Sequence, residues 1–490
     1  MGAINKVVFG TDTLIDLTAD TVAPETLAAG ITAHDKSGAA IVGTAEFGGG
    51  GGGSIPSATK KDVNFYDYDG TLLYGYTVAE AAALTELPAL PSHEGLICQG
   101  WNWTLDGIKA MGRAVNVGAM YITADGKTRV YIRLEDGRTS PMLGCCPNGT
   151  VTVDWGDGTT PDVLTGMSTS KVKWTPRHEY AVPGDYVILL TVDGSMGFYG
   201  NNSSNQLSGI LRNSSGGDSR NRTYQNAVQR FEIGDGVTSI GNYAFQGCYS
   251  LASITIPNGV TSIGNYAFQG CYSLASITIP DGVTSISGYT FNDCYSLASI
   301  TIPDGVTSIG DCVFQGCYSL ASITIPNGVT SISGSVFYNC YSLASITIPG
   351  GVTSISGYMF YNCFSLASIT FPEGVTSISS SVFYNCYSLA SITIPDGVTS
   401  ISGSVFYNCF SLASITFPEG VTSISSSVFQ GCLSVRYYDF TRHTAVPTLS
   451  NTNAFQNIAA DCEIRVPAAL ADDWRAATNW ATYAKYIVGV

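Results

Sequence analysis

A unit of 23 residues recurs nine times, beginning at Val237 with VTSIGNYAFQGCYSLASITIPNG and continuing without an insertion. Each copy repeats the same apolar skeleton of Val, Ile, Phe, Cys, Leu, Ile and Ile. One copy cannot bury that skeleton, whereas stacked copies align each apolar position with its equivalents above and below and build a continuous core. The repeat therefore excludes a single compact core for the second half of the chain and predicts a solenoid.

Within each copy, Leu-Ala-Ser-Ile-Thr-Ile has the alternation of a short strand, and Pro-Asn-Gly or Pro-Asp-Gly follows as a turn. We expect one parallel strand per coil and a solenoid over residues 228–440, which includes a partial first unit. The sequence resembles the BspA-type leucine-rich repeat, whose Val-Thr-x-Ile, Ala-Phe-x-x-Cys-x-x-Leu and Ile-x-Ile-Pro elements recur across 237–440. The resemblance implies extracellular recognition, often on bacterial surface proteins, and implies no catalysis.

Nine of the fourteen cysteines recur at the repeat period, and Cys248, Cys271 and Cys294 are the first three. Side chains in a stacked ladder point the same way, which disfavours disulfides, and a linear row does not converge as the four ligands of a zinc site do. We interpret these cysteines as buried free thiols with a structural role. No cofactor and no metal are expected.

An aromatic residue follows the cysteine in most copies. The candidate binding residues are Tyr249, Tyr272, Tyr295, Tyr318, Tyr341, Phe364, Tyr387 and Phe410. Such a column either covers the edge of the core, which we favour, or stacks on sugar rings and anchors protein interfaces. On the second interpretation the partner is a host-cell surface receptor, either a protein or a neutral glycan.

Charge limits the partners further. Asp and Glu outnumber Lys and Arg by 37 to 22, for a formal net charge of −15, and no Lys or Arg occurs from Phe231 to Val435. Such a surface repels phosphate backbones and anionic membranes, so nucleic acid is excluded as a partner. No apolar stretch is long enough for a membrane-spanning helix, so we expect no membrane insertion.

Residues 441–490 are expected to cap the solenoid, because the last coil of a repeat protein needs a polar outer face. A helix is predicted over about 468–483, since Leu470, Trp474 and Ala477 fall on one helical face.

The first half of the chain divides into smaller modules. Six consecutive glycines within 48–56 predict a flexible linker, which sets residues 1–47 apart. These residues resemble the amino-terminal module of tailed-bacteriophage tail and fibre proteins, through Gly-x-Thr-Ala-His-Asp-x-Ser-Gly-x-x-Ile-x-Gly-Thr at 30–44. The resemblance implies virion attachment, with other virion proteins as partners. We assign His34 and Asp35 to a turn and not to catalysis.

Residues 57–128 are predicted to form a small α/β domain with a capping box from Thr77 to Glu80. The stretch DYDGTL that begins at Asp67 resembles the nucleophile motif of haloacid dehalogenases. That chemistry also needs a phosphate-binding Ser or Thr, a Lys and a second acidic pair, for which too few residues remain before the next module. We therefore interpret Asp67 and Asp69 as part of a tight Asp-Gly hairpin and predict no enzyme.

Residues 129–196 alternate as an all-β segment and contain Trp-Gly-Asp-Gly followed by His-x-Tyr. This pattern resembles the PKD-type immunoglobulin-like β-sandwich, which implies structural roles for Trp155, Asp157, His178 and Tyr180. A cation bound by Asp154 and Asp157 is the less favoured alternative, because two carboxylates seldom supply enough oxygen ligands.

The order of modules predicts a bacteriophage virion structural protein, because an attachment end leads through spacers and a connector at 197–227 to a repeat surface. On this hypothesis the chain is a tail or head fibre that recognises host cells and assembles as a homo-oligomer, for which a trimer is one candidate. It is localised to the virion after assembly in the host cytoplasm. The alternative is a bacterial cell-surface adhesin, although residues 1–10 lack the pattern of a secretion signal.

Overall fold

The computed structural model describes residues 59–67, 71–93, 96–101, 105, 108–109, 115–123, 125–135, 139–170, 172–199, 211–212 and 226–490, together with four backbone strands within residues 1–42. The chain forms two compact units, residues 1–56 and residues 57–490. Among the described residues, no helix has the length and apolar character needed to cross a lipid bilayer.

The first unit contains a four-stranded antiparallel sheet. Its strands, in spatial order, are Asp12–Ile15, Ile4–Phe9, Thr32–Asp35 and Ala40–Val42. His34 and Asp35 thus lie in a strand and not in the turn expected from the sequence, because Thr32–Asp35 pairs with the first strand of the chain. The linker at 48–56 lies outside the described residues.

The second unit begins with a small sheet and one short helix. The strands, in spatial order, are Leu72–Tyr76, Val63–Tyr66, Val115–Thr123 and Leu96–Trp101. Helix Val78–Ala82 starts at the predicted capping box, in which Glu80 N donates to Thr77 Oγ1 and Thr77 N donates to Glu80 Oε2. Phe65 is fully buried in the core of this sheet.

A ten-stranded sheet links the following segment to the solenoid. Its main path, in spatial order, is Asp162–Met167, Met142–Asp154, Gly184–Phe198, Thr128–Leu134, Val228–Glu232 and Ser253–Thr255. Lys173–Trp174 and Leu211–Arg212 pair with Met142–Asp154, while Val237–Ile240 pairs in parallel with Gly184–Phe198. The last two main strands, Val228–Glu232 and Ser253–Thr255, already belong to the repeat region.

The immunoglobulin-like sandwich expected over 129–196 is not confirmed, because its strands share a sheet with the solenoid. The expected boundary at 196 falls inside the strand Gly184–Phe198. Within the expected connector, Leu211–Arg212 is a paired strand. These strands therefore cover the first coil, as a terminal cap of a solenoid must.

The repeats stack as two rows of short parallel strands, and not as the single row predicted. The first row comprises Ser253–Thr255, Ser276–Thr278, Ser299–Thr301, Ser345–Thr347, Ser368–Thr370 and Ser414–Thr416. The second row comprises Val237–Ile240, Ser262–Ile263, Ser285–Ile286, Ser308–Ile309, Ser331–Ile332, Ser354–Ile355, Ser377–Ile378, Ser400–Ile401, Ser423–Ile424 and Thr448–Leu449. Where strands of neighbouring repeats pair, each residue pairs with its copy 23 positions later, as Ile277 does with Ile300, so register follows the repeat; the last strand, Thr448–Leu449, pairs with residues 25 positions earlier.

The solenoid core contains a continuous ladder of phenylalanines. Its members are Phe245, Phe268, Phe291, Phe314, Phe337, Phe360, Phe383, Phe406 and Phe429, and each is fully buried. Neighbouring rings stack nearly in parallel, as Phe337 and Phe360 do with centroids 5.5 Å apart. Because every interior ring touches one ring on each face, the core of one coil depends on the coils beside it.

The carboxy-terminal cap extends the first strand row through Tyr437–Asp439, Glu463–Val466 and Ile487–Gly489. The helix predicted over 468–483 is interrupted into a 3-10 turn at Ala468–Leu470, an α-helix at Ala471–Ala476 and a 3-10 helix at Trp480–Tyr486. The α-helix ends where Ala477 is extended, and Asn479, with φ of 64°, precedes the next helix and donates through its side chain to Leu449 O at 2.6 Å. The interruption lets both Trp474 and Trp480 reach full burial against the last coils.

Candidate binding surface

The aromatic column predicted from the sequence forms an unbroken stack, which we call the first column. Its eight rings are Tyr249, Tyr272, Tyr295, Tyr318, Tyr341, Phe364, Tyr387 and Phe410. Successive centroids lie 4.5 to 4.9 Å apart, and interplanar angles do not exceed 14°. Leu433 takes the next equivalent position and is 55% exposed.

Stacking decides what the first column presents to solvent. Each interior ring has a neighbouring ring against both faces, so the exposed part of a ring such as Tyr272, 38% exposed, is its edge and hydroxyl. A sugar ring that stacks on an aromatic ring needs an open face. The column is therefore better suited to edge contacts and hydrogen bonds with another protein than to the sugar stacking considered from the sequence.

A second row lies three residues before the first column in each coil, and its chemistry changes along the solenoid. In the coils nearer the amino terminus, which we call the front coils, Gln246 Nε2 donates to Gln269 Oε1, and Gln269 Nε2 donates to Asn292 Oδ1. The row is an amide ladder there. In the back coils the row is aromatic. Its rings are Tyr338, Tyr361, Tyr384 and Tyr407, with centroids 4.4 to 4.7 Å apart. This row was not predicted from the sequence, although its 23-residue spacing is visible there.

Asparagines separate the two aromatic rows of the back coils. Asn362 Nδ2 donates to Asn339 Oδ1, Asn385 Nδ2 to Asn362 Oδ1, and Asn408 Nδ2 to Asn385 Oδ1, at 2.8 to 3.0 Å. Each of these asparagines has φ between 58° and 61°, a left-handed conformation that asparagine tolerates better than most residues. We call the two aromatic rows over these four coils, with the asparagines between them, the aromatic plate.

The tyrosine hydroxyls of the plate influence one another. Burial raises the pKa of Tyr384 to about 12, and the neighbouring hydroxyls of Tyr407 and Tyr361 add to the shift. Burial likewise raises the pKa of Tyr361, and Tyr387 of the first column adds a smaller upward contribution to the pKa of both Tyr361 and Tyr384. Tyr361 and Tyr384 therefore stay uncharged at physiological pH.

Most carboxylates of the solenoid occupy a different position of the repeat and are exposed at the turns that end the coils, at Asp281, Asp304, Glu373, Asp396 and Glu419. Asp293, which takes the asparagine position of its coil beside Tyr295, and Asp311 are exceptions, and both precede the plate in the sequence. The plate segments 335–342, 358–365, 381–388 and 404–411 contain no charged residue. The solenoid thus combines acidic turns with an uncharged aromatic surface.

The nine repeat cysteines line the core and face away from this surface. They are at most 1% exposed, and none forms a disulfide. Each thiol after the first donates to the carbonyl of the phenylalanine 26 positions earlier, as Cys294 Sγ does to Phe268 O at 3.2 Å. Burial raises the pKa of Cys248 to about 12, so the thiolate is disfavoured there.

We predict that these thiols resist alkylation in the native protein. Labelling with a thiol-specific reagent at mildly alkaline pH should leave the nine repeat cysteines unmodified, because they are both neutral and out of contact with water. In guanidinium chloride the same reagent should modify all of them, as mass spectrometry of tryptic peptides would report. Fast native labelling of Cys340 or its equivalents would contradict their burial.

The four residues assigned to the PKD-type resemblance lie together. Trp155 is fully buried and stacks on His178, with centroids 4.5 Å apart. Tyr180 Oη donates to Trp155 O at 2.9 Å, and His178 Nε2 lies 2.8 Å from Asp157 Oδ2. Asp157 Oδ1 also accepts from the backbone and hydroxyl of Thr159, so its carboxylate is engaged in local hydrogen bonds.

The residues that resemble a dehalogenase site are only partly within the described structure. Asp67 is 7% exposed and lies 2.8 Å from Nε2 of His93, at the end of a hairpin whose Tyr66 pairs with Leu72. Asp69 lies outside the described residues. Over the described part of the chain, no group of three or more His, Cys, Asp or Glu side chains is arranged for a metal ion.

Comparison with known proteins identifies the repeat. A family model described as "BspA type Leucine rich repeat region" matches residues 220–344 and 330–460, with six copies. A search of curated proteins gives no significant match.

Among solved structures, the chain resembles a leucine-rich repeat protein of T. pallidum at 36% identity over 33% of this chain and 78% of that one, with a TM-score of 0.32. It also resembles one from Bacteroides ovatus at 24% identity over 64% and 93%, with a TM-score of 0.41. A leucine-rich cell surface protein from Faecalibacterium prausnitzii matches at 27% identity over 56% and 91%, with a TM-score of 0.33. Because the family model covers the whole stack of coils, residues 220–460 of this chain belong to the BspA-type leucine-rich repeat family.

Proposed function

We propose that this chain is a non-catalytic adhesion protein whose solenoid binds a molecule on the surface of another cell. The observation that carries the proposal is the first column, a row of eight partly exposed rings held at a fixed spacing by a rigid core. Aromatic side chains that are already immobile lose little conformational entropy on binding, which favours affinity. Tyrosine with Ser and Asn is also the composition that antibody paratopes use for recognition.

Charge narrows the class of receptor. From Phe231 to Val435 the solenoid has carboxylates but no Lys or Arg, so an anionic polymer meets only repulsion. A protein receptor with a neutral or basic contact surface meets no such penalty. Since the ring faces are covered by neighbouring rings, we favour a protein receptor over a glycan.

The finer proposal is a tail or head fibre of a bacteriophage. It is supported by the resemblance of residues 1–47 to virion attachment modules, and it places this module on the particle and the solenoid towards the host. Antibody labelling of purified virions, compared with envelope fractions of uninfected cells, tests the location. Absence of the chain from virions with presence in the envelope would support the bacterial adhesin instead.

Cell binding tests the adhesion itself. Fluorescently labelled full-length chain should bind host cells, and the pair Tyr272→Ser with Tyr295→Ser should reduce the bound fraction at least about tenfold, because the second and third rings of the first column are lost. Met167→Ser is the matched control, since Met167 is 95% exposed but lies outside the solenoid. Binding that is equal for all three chains would exclude the first column as the receptor site.

A further inference from the structure

We propose that two copies of this chain pair through the aromatic plate in antiparallel orientation, about a two-fold axis that crosses the first column between Phe364 and Tyr387. This self-association is a property beyond the proposed adhesion, and it leaves the front rings from Tyr249 to Tyr295 open for a receptor.

Charge first limits where identical chains can meet. Each copy has a formal net charge of −15, and exposed carboxylates occupy the turns at Glu373, Asp396 and Glu419 beside the plate coils. Two such chains repel one another, and the repulsion is weakest where the contact surface itself carries no charge. The plate provides that surface, because it consists of Tyr, Phe and Asn, and aromatic enrichment with depletion of charge is typical of interface centres.

The repeat period provides a matching surface on the partner. Rings of the plate recur every 4.4 to 4.9 Å along the solenoid. A second copy has the same spacing, so in antiparallel alignment every ring of one column meets a ring of the other without accumulating mismatch. A partner with a different period would lose register after a few coils.

The order of residues in the first column then selects one register. From the middle of the solenoid to its end the column reads Tyr318, Tyr341, Phe364, Tyr387, Phe410 and Leu433. A two-fold axis between the third and fourth members places Tyr318 opposite Leu433 of the second copy, Tyr341 opposite Phe410, and Phe364 opposite Tyr387. Each long, hydroxyl-bearing ring thus meets a side chain that has no hydroxyl.

Other registers lack this complementarity. An axis through Phe364 would set Tyr341 against Tyr387, and an axis through Tyr387 would set Phe364 against Phe410. The front of the column, from Tyr249 to Tyr341, is tyrosine only and so favours no register. The alternation also accounts for Leu433, an apolar side chain that is 55% exposed at the end of the column, because Tyr318 of the second copy would cover it.

The size of the surface sets the strength of pairing. Six positions at about 4.8 Å span roughly 24 Å, which is short for a permanent dimer. We therefore expect a reversible dimer that is populated at micromolar concentrations and dissociates on dilution.

Sedimentation velocity of the full-length chain over a range of concentrations tests the pairing. Phe364→Tyr with Phe410→Tyr places hydroxyls opposite hydroxyls, and we expect it to raise the dissociation constant at least about tenfold. Adding Tyr341→Phe and Tyr387→Phe to the same chain restores the alternation with its phase reversed, and pairing should return. This rescue separates complementarity from a general loss of folding, which neither hydroxyl pattern should cause.

Cross-linking tests the orientation. Chains with Tyr341→Cys and chains with Phe410→Cys should form a disulfide-linked dimer when mixed, and neither should cross-link alone, because equivalent positions then lie about 14 Å apart, beyond disulfide reach. Cross-linking of each variant alone would indicate a parallel arrangement and would overturn the proposal. The proposal would also be overturned if sedimentation gave the mass of a single chain at a protein concentration of about 100 μM, or the mass of three chains. None of these outcomes affects the cell-binding test, which depends on the front rings.

Discussion

A chain shortened to residues 228–490 is expected to aggregate, whereas a chain of residues 57–490 is expected to remain soluble. In the intact protein Val228–Glu232 pairs with Thr128–Leu134, and Val237–Ile240 pairs with Gly184–Phe198. Deleting residues 57–227 removes both partner strands. The first coil would then present unpaired strand edges, which are templates for intermolecular pairing.

The same deletion exposes apolar and polar groups that are buried in the intact chain. Phe231 is fully buried against Phe198, with ring centroids 5.3 Å apart. Glu232, 5% exposed, accepts from Tyr131 Oη at 3.0 Å, and its carboxylate also lies 2.7 Å from Arg230. Terminal repeats without a cap are poorly soluble for this reason.

Size-exclusion chromatography with light scattering distinguishes the two outcomes. The 57–490 chain should elute as monomer or dimer with the thermal midpoint of the full-length protein, because residues 1–56 form a separate compact unit. The 228–490 chain should elute as large assemblies or remain insoluble. A monodisperse 228–490 chain with an unchanged midpoint would mean that the ten-stranded sheet does not stabilise the first coil.

The solenoid was predictable because its information is local and repeated. The 23-residue period specifies which residues stack, and the register from Ile277 to Ile300 follows directly. The second strand row was missed because its members, such as Ser262–Ile263, are two residues long and show no alternation of their own. They become strands only when neighbouring coils bring their backbones together.

The ten-stranded sheet was not predictable from the sequence pattern. The pairing of Tyr131 with Arg230 joins segments about one hundred positions apart, and hydrophobic alternation says which face is buried but not which strand is the neighbour. The interruption of the cap helix has a similar cause. Leu470, Trp474 and Ala477 do fit one helical face, but the hydrogen bond from Asn479 to Leu449 comes from a distant part of the chain.

The candidate surface was predicted in position but not in form. Spacing alone located the first column, yet it did not show that each ring would be covered on both faces by its neighbours. The change of the second row from Gln269 to Tyr361 is visible in the sequence, but its meaning depends on the proximity of that row to the first column. Contacts between side chains of neighbouring coils are therefore what the sequence alone did not reveal.

Phe337→Ala is expected to destabilise the solenoid by about 3 to 5 kcal/mol, the range for truncating a fully buried aromatic ring. Phe337 is 0% exposed and stacks between Phe314 at 5.7 Å and Phe360 at 5.5 Å. The substitution leaves a cavity in the middle of the ladder and removes ring contacts to both adjacent coils. Guanidinium denaturation followed by circular dichroism measures the loss, at concentrations where the chain is monomeric.

The position of Phe337 gives this prediction a second part. In a repeat protein stability is the sum of terms within coils and terms between neighbouring coils, so weakening two interfaces at the centre should let the two halves unfold separately. We therefore expect a broader transition or two steps, and not only a lower midpoint. The control is Phe371→Ala, since Phe371 is half-buried and packs against Phe383 at 6.0 Å; it should cost about 1 to 2 kcal/mol and keep a single transition. If Phe337→Ala lowered the free energy of unfolding by no more than this control, the pairing of the strands would hold the coils together. The phenylalanine ladder would then follow from that pairing and would not stabilise it.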